Sequence, residues 1–433
     1  MRETPLAGQI SSHAGPHAGD FGSLGSHEES FEGRRIVLTA FEHFVDVPSG
    51  TARVVSDVGR YLAEQGHDVW VVARAVSSNI EEHEYAQNVH LLRYAAKKFN
   101  ALDPRRAWTH RTCTKAILQR FVPGPVDVVY GHAPLSYLAA CELYGGQATT
   151  CYTAHSPLSR EMDLTWPRTG LVNRLRRGAG LRWLDKIERD CLKESDCVTV
   201  LSNYTNRLLH EIHGADLTCG VTVIPGWVDP ERFQVIEDRQ AAKRGLGWTE
   251  NVPVFFTLRR LVSRMGLDVL LRVCGLLRGS GLEFQLMIGG DGPMKGSLEG
   301  LSKELGLSQH VRFLGRVDNA VLPLMYGACD AFVLPTAQLE CFGLIAIEAL
   351  ACGRPVLATC VGAIPEILDA VEPRWIAGSP KEDGLAELLA SFLHGGLPEH
   401  PPHALRSFVK SRYDDRVILP QLADFLLRKA NKN

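Results

Sequence analysis

The sequence predicts an α/β protein built from two successive parallel-sheet units with a cleft between them. Short apolar strands alternate with helical patterns over residues 35–224 and again over 254–358. A turn cluster, Pro225-Gly226-Trp227-Val228-Asp229-Pro230, separates the two runs. The chain has 433 residues, too many for one ordinary hydrophobic core and suited to two.

In the first unit, order begins at 35–39, a strand of buried type. A loop through Pro48, Ser49, Gly50 and Thr51 leads to a helix through 62–65 that stops at Gly66-His67, and 68–73 is the next strand. The pattern recurs as strand 126–130, a helix near 136–143 and strand 149–153, with 198–201 and 221–224 continuing the set. Residues 156–180 break the rhythm. They carry Arg160, Arg168, Arg174, Arg176 and Arg177 with Leu164, Trp166 and Leu171 between, and read as a long excursion beside the site. A solvated helix–loop face accounts for it better than a membrane or acceptor contact, which stays open.

In the second unit, strand 254–258 leads to a helix over 268–278, and strand 284–289 ends in Gly290-Asp291-Gly292-Pro293. A helix near 297–305, strand 311–315 and strands 331–334 and 355–358 follow, with a final helix near 420–429. The expected divisions are a tail at 1–33, a first domain at 34–230, a second at 231–410 and a terminal helix at 411–433. The tail is rich in Gly, Ser, His and Glu and too poor in aliphatics to order itself, so His13, His17 and His27 read as tail rather than as metal ligands.

Composition narrows the class. Hydrophobic content of 45% fits a soluble globular protein, and a net charge of −2 favours neither nucleic acid nor an acidic membrane. No apolar run reaches the roughly 20 residues that cross a bilayer, and no basic start precedes a hydrophobic stretch, so a cytoplasmic protein is expected. Eleven scattered cysteines include no Cys-x-x-Cys pair, which disfavours zinc and redox roles and suits reduced, packed thiols.

The richest segment is 335–366. Glu340-Cys341-Phe342-Gly343-Leu344-Ile345-Ala346-Ile347-Glu348 sets two carboxylates eight positions apart after the strand 331–334. Residues 344–351 read as a helix that starts on a glycine and stops at Gly353. Glu340 then lies in a loop at a strand's carboxyl end, where open α/β sheets bind ligands. Free amides at the helix start suit phosphate. Carboxylates on either side suit sugar hydroxyls, because each accepts at two oxygens. Phosphate between hydroxyls describes a sugar nucleotide.

With Val361-Gly362-Ala363-Ile364-Pro365-Glu366, this segment resembles the E-x7-E motif of the retaining GT-B glycosyltransferases of family four (glycosyl transferases group 1). The resemblance covers nearly all of 35–427. It implies the GT-B architecture, two Rossmann-like domains facing across a cleft, and a hexosyltransferase that retains anomeric configuration. It assigns Glu348 to ribose hydroxyls, Glu340 to hexose hydroxyls, and the amides near Cys341, Phe342, Gly343 and Leu344 to the diphosphate. It likens Arg260 and Arg264 to the family's diphosphate clamp, with one departure: Met265 stands where a lysine is usual, and Arg264 is expected to take that role. Guanidinium suits a leaving diphosphate, since it keeps its charge and makes paired hydrogen bonds. Gly50, in the first strand–helix loop, matches a position where backbone approaches phosphate, although Thr51 follows in place of a second glycine. His155 matches a histidine near the anomeric centre, and His132 reads as its support. Arg316 and Val317 fall in the base-binding loop. Glu366 is expected to support its own loop.

No Asp-x-Asp motif appears, so metal-independent transfer without a cofactor is expected, with UDP favoured as the nucleotide and GDP next. A small hydrophilic acceptor such as a cyclitol, aminocyclitol or thiol-bearing metabolite is favoured over a lipid-linked or polysaccharide one. Two other readings compete. A nucleotide-binding scaffold without activity draws on the Met265 departure. A phosphorylase would need a Schiff-base lysine, whereas Lys295 and Lys303 read as surface helix charges.

Overall fold

The computed structural model describes residues 33–430 apart from 45, 47–48, 77–81, 87, 97–103, 165, 167–169, 215–216 and 218. His13, His17, His27, Pro48 and Arg168 lie outside the described residues. Two sheets organise the rest. The first contains β1 (Arg35–Thr39), β2 (Asp68–Arg74), β3 (His83–Ala86), β4 (Val89–Tyr94), β5 (Val128–Gly131), β6 (Thr149–Thr153), β7 (Cys197–Val200) and β8 (Val221–Val223). Its spatial order is β3-β4-β2-β1-β5-β6-β7-β8. Strand β1 is central, with Ile36 opposite Val69 on one side and Val128 on the other, both parallel. Among the described residues of this sheet, only β3 runs antiparallel, against β4.

The second sheet contains β9 (Val254–Leu258), β10 (Gln285–Gly289), β11 (Val311–Gly315), β12 (Ala331–Leu334), β13 (Val356–Thr359) and β14 (Ile376–Ala377), ordered β11-β10-β9-β12-β13-β14. Every pairing in it is parallel. Parallel strands need crossover connections, and the helices that supply them cover both faces, so strands such as β9 are buried from end to end except at their tips. All the carboxyl ends therefore lie on one edge.

Several elements are absent from the sequence reading. Strands β3 and β4 and the helix Pro104–Phe121 lack a clean apolar pattern. The β4 interior includes Arg93, buried because Asp46 accepts from its Nε at 2.9 Å and Glu84 from Nη1 at 2.7 Å. His90 stacks on Trp70 with ring centroids 3.9 Å apart. The excursion at 156–180 is resolved into two helices, Leu158–Asp163 and Leu171–Lys193. Among the described residues no helix is long and apolar enough to cross a membrane.

The chain crosses between the domains twice, side by side. Val228 donates its amide to Tyr413 at 2.9 Å, and Asp415 donates to Val228 at 3.1 Å. The helix Pro402–Tyr413 packs Leu405, Val409 and Tyr413 into the second core. The next helix, Asp415–Ala430, returns to the first domain. Its Ile418, Leu419, Leu422 and Leu426 join Ile36, Leu38, Val58 and Leu62 in one cluster, the spacing of a helix with a single apolar stripe.

Leu426→Ala should therefore destabilise the first domain by about 2–5 kcal/mol, the usual cost of a large-to-small change at a fully buried site. Urea denaturation followed by tryptophan fluorescence measures it. A loss below about 1 kcal/mol would mean that the helix merely rests on the surface.

Candidate functional site

The second sheet's carboxyl edge carries the predicted residues. After β12 the loop turns at Leu339, whose φ of 56° is left-handed and costs a non-glycine residue about 1–2 kcal/mol. That turn presents the Leu339 carbonyl to Arg264 and sets Glu340 on the edge. Gly362, after β13, has φ 68°, and a Cβ there would collide with the Glu340 backbone. Without one, the neighbouring loop closes on Glu340, and the Ala363 amide donates to its carbonyl at 2.8 Å. The Glu340 carboxylate accepts from Arg259 Nη2 at 2.7 Å and from Thr336 Oγ1 at 3.1 Å, both on Oε2.

Gly343 follows with φ 99° and opens the helix Leu344–Ala351 without any side-chain cap. A helix start holds up to four amides without intrahelical partners and a partial positive charge. This one is uncapped at the cleft, as an anion site requires. Opposite it, Gly50 starts the helix Gly50–Glu64, and a Cβ on Gly50 would lie 3.6 Å from the Leu344 side chain. Cys341 turns its carbonyl to the first domain and accepts from Ser202 Oγ at 2.6 Å and Thr205 Oγ1 at 3.0 Å. Phe342 is buried in the second core.

Glu348, one helical turn further in, is only 5% exposed. Tyr326 donates its hydroxyl to Oε2 at 2.8 Å, and Arg53 of the first domain ion-pairs with Oε1. Burial opposes the Arg53 charge, but Glu348 and Asp57 outweigh it and raise the guanidinium's pKa above its ordinary value. Sequence reasoning missed Arg53. The available signal was its place one turn beyond Gly50, on the helix that faces the motif. Glu366, expected to support its own loop, instead reaches the first domain. It accepts from the amides of Asn203 at 2.9 Å and Tyr204 at 2.5 Å, capping the helix Asn203–His213.

The arginines divide differently from the sequence reading. Arg260 is exposed at the end of β9. Arg264, expected to replace the absent lysine, spends one terminal nitrogen on the Leu339 carbonyl at 2.9 Å and the other on Glu161 of the first domain at 3.1 Å. The cation beside Met265 is Arg259. Its side chain is 3% exposed, Nη1 donates to Thr336 Oγ1 at 3.0 Å, and Nη2 lies against the Met265 sulfur as well as Glu340. Just beyond β9, Arg259 is turned inward and Arg260 outward. On the other side of β9, Arg316 is 85% exposed and 3.9 Å from Asp291. Val317 packs over Gly289.

Across the cleft, His155 follows β6, and its Nε2 lies 2.8 Å from His132 Nδ1. Burial lowers the His155 pKa to about 4 and, with His155 adding to it, holds His132 well below the ordinary histidine value. Both rings are therefore neutral near pH 7. Among the described residues, His132 Nε2 is buried without a partner. A bare lone pair there is less costly than an unmet N–H, so the proton belongs on His132 Nδ1, donated to His155 Nε2. His155 then carries its own proton on Nδ1, as a hydrogen-bond donor. Among the described residues no group of three or more His, Cys, Asp or Glu side chains is arranged for a metal ion.

Residues 48–232 match the family described as Glycosyltransferase Family 4, and residues 238–407 the one described as Glycosyl transferases group 1. A D-inositol 3-phosphate glycosyltransferase of Actinosynnema mirum is 31% identical over 78% of this chain and 82% of its own length. A GDP-mannose-dependent monoacylated alpha-(1-6)-phosphatidylinositol monomannoside mannosyltransferase of Corynebacterium glutamicum is 33% identical over 46% of this chain and 53% of its own. Among solved structures, sucrose-phosphate synthase from Thermosynechococcus elongatus superposes with a TM-score of 0.76 at 20% identity, covering 92% of this chain and all (100%) of that one. Anabaena HepE in complex with UDP-glucose superposes at 0.67 and 18%, covering 91% of this chain and 100% of that one. At those identities the likeness is one of fold, the GT-B arrangement of two Rossmann-like domains. By its sequence, the chain belongs to the group 1, family 4 glycosyltransferases.

Proposed function

We propose that the chain transfers a hexose from a nucleoside diphosphate sugar to a hydroxyl of a small hydrophilic acceptor, with retention at the anomeric carbon. The observation that carries this reading is the uncapped start of the helix Leu344–Ala351, flanked by Glu340 and Glu348 and facing Gly50 across the cleft. The diphosphate takes the amides near Phe342, Gly343 and Leu344, and the exposed Arg260 reaches it from the end of β9. Glu340 takes hexose hydroxyls on Oε1, since among the described residues both its contacts fall on Oε2. Glu348 takes the ribose. Each carboxylate offers about four acceptor sites, so the contacts to Arg53 and Tyr326 leave room. His155 donates from Nδ1 to the sugar near its reacting carbon, and the Arg316–Val317 loop receives the base.

In the step itself, the bond from the anomeric carbon to the diphosphate oxygen breaks and its electron pair stays on that oxygen. The acceptor oxygen bonds to the carbon, and its proton passes to the departing diphosphate. Preorganised guanidinium and amide dipoles stabilise that charge where it develops, without a divalent ion.

UDP is the favoured nucleotide and GDP the next. A fold relative is described in complex with UDP-glucose, and sequence relatives are named as GDP-mannose-dependent. The acceptor reading is supported by several relatives named D-inositol 3-phosphate glycosyltransferase. A lipid-linked acceptor is the second reading. Leu175 is 67% exposed between the exposed Arg174 and Arg176, a surface a bilayer would suit. Thermal shift against UDP, GDP, ADP and dTDP identifies the base, because a ligand stabilises in proportion to its affinity. Labelled nucleotide sugar offered with inositol-type acceptors, or with lipid vesicles, then separates the acceptors. Binding without transfer or hydrolysis would leave only a scaffold.

Glu348→Ala should weaken donor binding by about 1–3 kcal/mol in calorimetric titration. It should also lower stability by about 1–3 kcal/mol in urea, because the buried Arg53 keeps Asp57 at 3.5 Å but loses its hydrogen-bonded partner Glu348. Arg260→Ala should reduce kcat more than it raises KM, since leaving-group charge peaks in the transition state; equal effects would remove Arg260 from the diphosphate. The histidine pair gives a pH dependence. Between about 6.5 and about 4 the unfolded chain binds protons that native His155 refuses, so unfolding free energy falls as pH falls through that window. The slope is at most about 1.4 kcal/mol per pH unit for each proton. A His132→Gln/His155→Gln double variant should show a shallower slope in urea titrations, and an unchanged slope would mean that the pair titrates normally.

A further inference from the structure

We infer that Arg259, the residue before the predicted clamp arginine, supplies the fixed positive charge that Met265 does not, holding Glu340 and facing the donor beside it. The inference rests on the proposed donor site and adds to it a residue that the sequence reading passed over.

Three observations carry it. The first is location. Arg259 directly follows β9, between the Gly290 turn after β10 and the Glu340 loop after β12, at the edge where the second sheet's strand ends meet. The second is the surroundings. Met265 is 8% exposed, and its sulfur touches the guanidinium, so the side chain at the lysine position and the guanidinium occupy one place. The neighbouring arginines do not compete for it: Arg264 is committed to Leu339 and Glu161, and Arg260 faces solvent.

The third is the form of the ion pair. A guanidinium and a carboxylate that serve only each other close into a two-bond fork. Here the fork is open. Nη2 goes to Glu340 Oε2, Nη1 turns away to Thr336 Oγ1, and the thioether between them is a weak acceptor. Thr336 also donates to Oε2, so Glu340 is anchored by one oxygen. A carboxylate fixed that way has its orientation set and its second oxygen left over, and the cation beside it retains donors for an anion. Such an arrangement serves a third party better than it serves stability.

Charge supplied at one place from either of two positions predicts rescue. Steady-state kinetics with the donor found by thermal shift would compare Arg259→Gln, Met265→Lys in the Arg259→Gln background, and Arg259→Lys, each checked for folding by its melt. Arg259→Gln should lose about 100-fold in kcat with a smaller change in KM, the scale of removing one preorganised electrostatic contact. Adding Met265→Lys should restore at least about tenfold of that loss. A merely structural pair would not be repaired from position 265. Wild-type kcat in Arg259→Gln, or a folded double variant no better than the single one, overturns the inference. Should Arg259→Gln not fold, Arg259→Lys decides: kcat within about tenfold of wild type supports the charge role, and a folded variant weaker by about 100-fold overturns it. If wild-type protein shows no shift with any nucleoside diphosphate, the donor site falls and takes this inference with it. If wild type binds and transfers while the Arg259 variants match it, only this inference falls.

Discussion

A carboxylate taken out of water needs its positive partner already in place, and Glu348 finds one in the opposite domain. The Arg53–Glu348 pair is buried, and a buried pair adds little net stability once desolvation is counted. What it adds is geometry. Either charge alone would be strongly unfavourable, so the arrangement in which the helix Gly50–Glu64 faces the helix Leu344–Ala351 is the one in which neither is alone. Two further links issue from the same region: the Cys341 carbonyl to Ser202 and Thr205, and Glu366 to the start of the helix Asn203–His213. All three join the carboxyl edge of the second sheet to the first domain, so the same contacts set the position of the cleft walls.

The uncapped helix start makes sense within that frame. Side chains that could have closed it are absent from position 343, where a left-handed glycine stands. Strain at Leu339 and the close approach at Gly362 aim Glu340 along the same edge. Backbone amides, one carboxylate held by Arg259 and Thr336 and a second held by Tyr326 and Arg53 form a row of donors and acceptors along the cleft.

Much of this was legible because it is local. The helix Leu344–Ala351 runs between the glycines that bound it in the sequence, and β12 is an uninterrupted apolar run. What was not legible depends on partners far away in the chain. Strand β4 contains Arg93, which reads as a surface residue until Asp46 and Glu84 are seen around it. Arg53 and Glu348 lie 295 positions apart. Arg259 and Arg260 are adjacent and chemically identical, and only the contacts with Thr336 and Glu340 mark Arg259 as the one turned inward. Motif matching chose Arg260 on register with the family; burial and contacts draw attention to Arg259. Arg264 was assigned by proximity to Met265 in sequence, whereas its reach is toward Glu161.

The return of the helix Asp415–Ala430 bears on biogenesis. The first domain's hydrophobic interior includes side chains of the helix Asp415–Ala430, so during synthesis its completed sheet waits with an open apolar face while nearly 200 residues are still to come before that helix. The second domain, whose strands are contiguous in the chain, can consolidate in the meantime. Assembly then ends with a strap laid across a preformed sheet, and the two lobes become one covalently interleaved body rather than beads on a string.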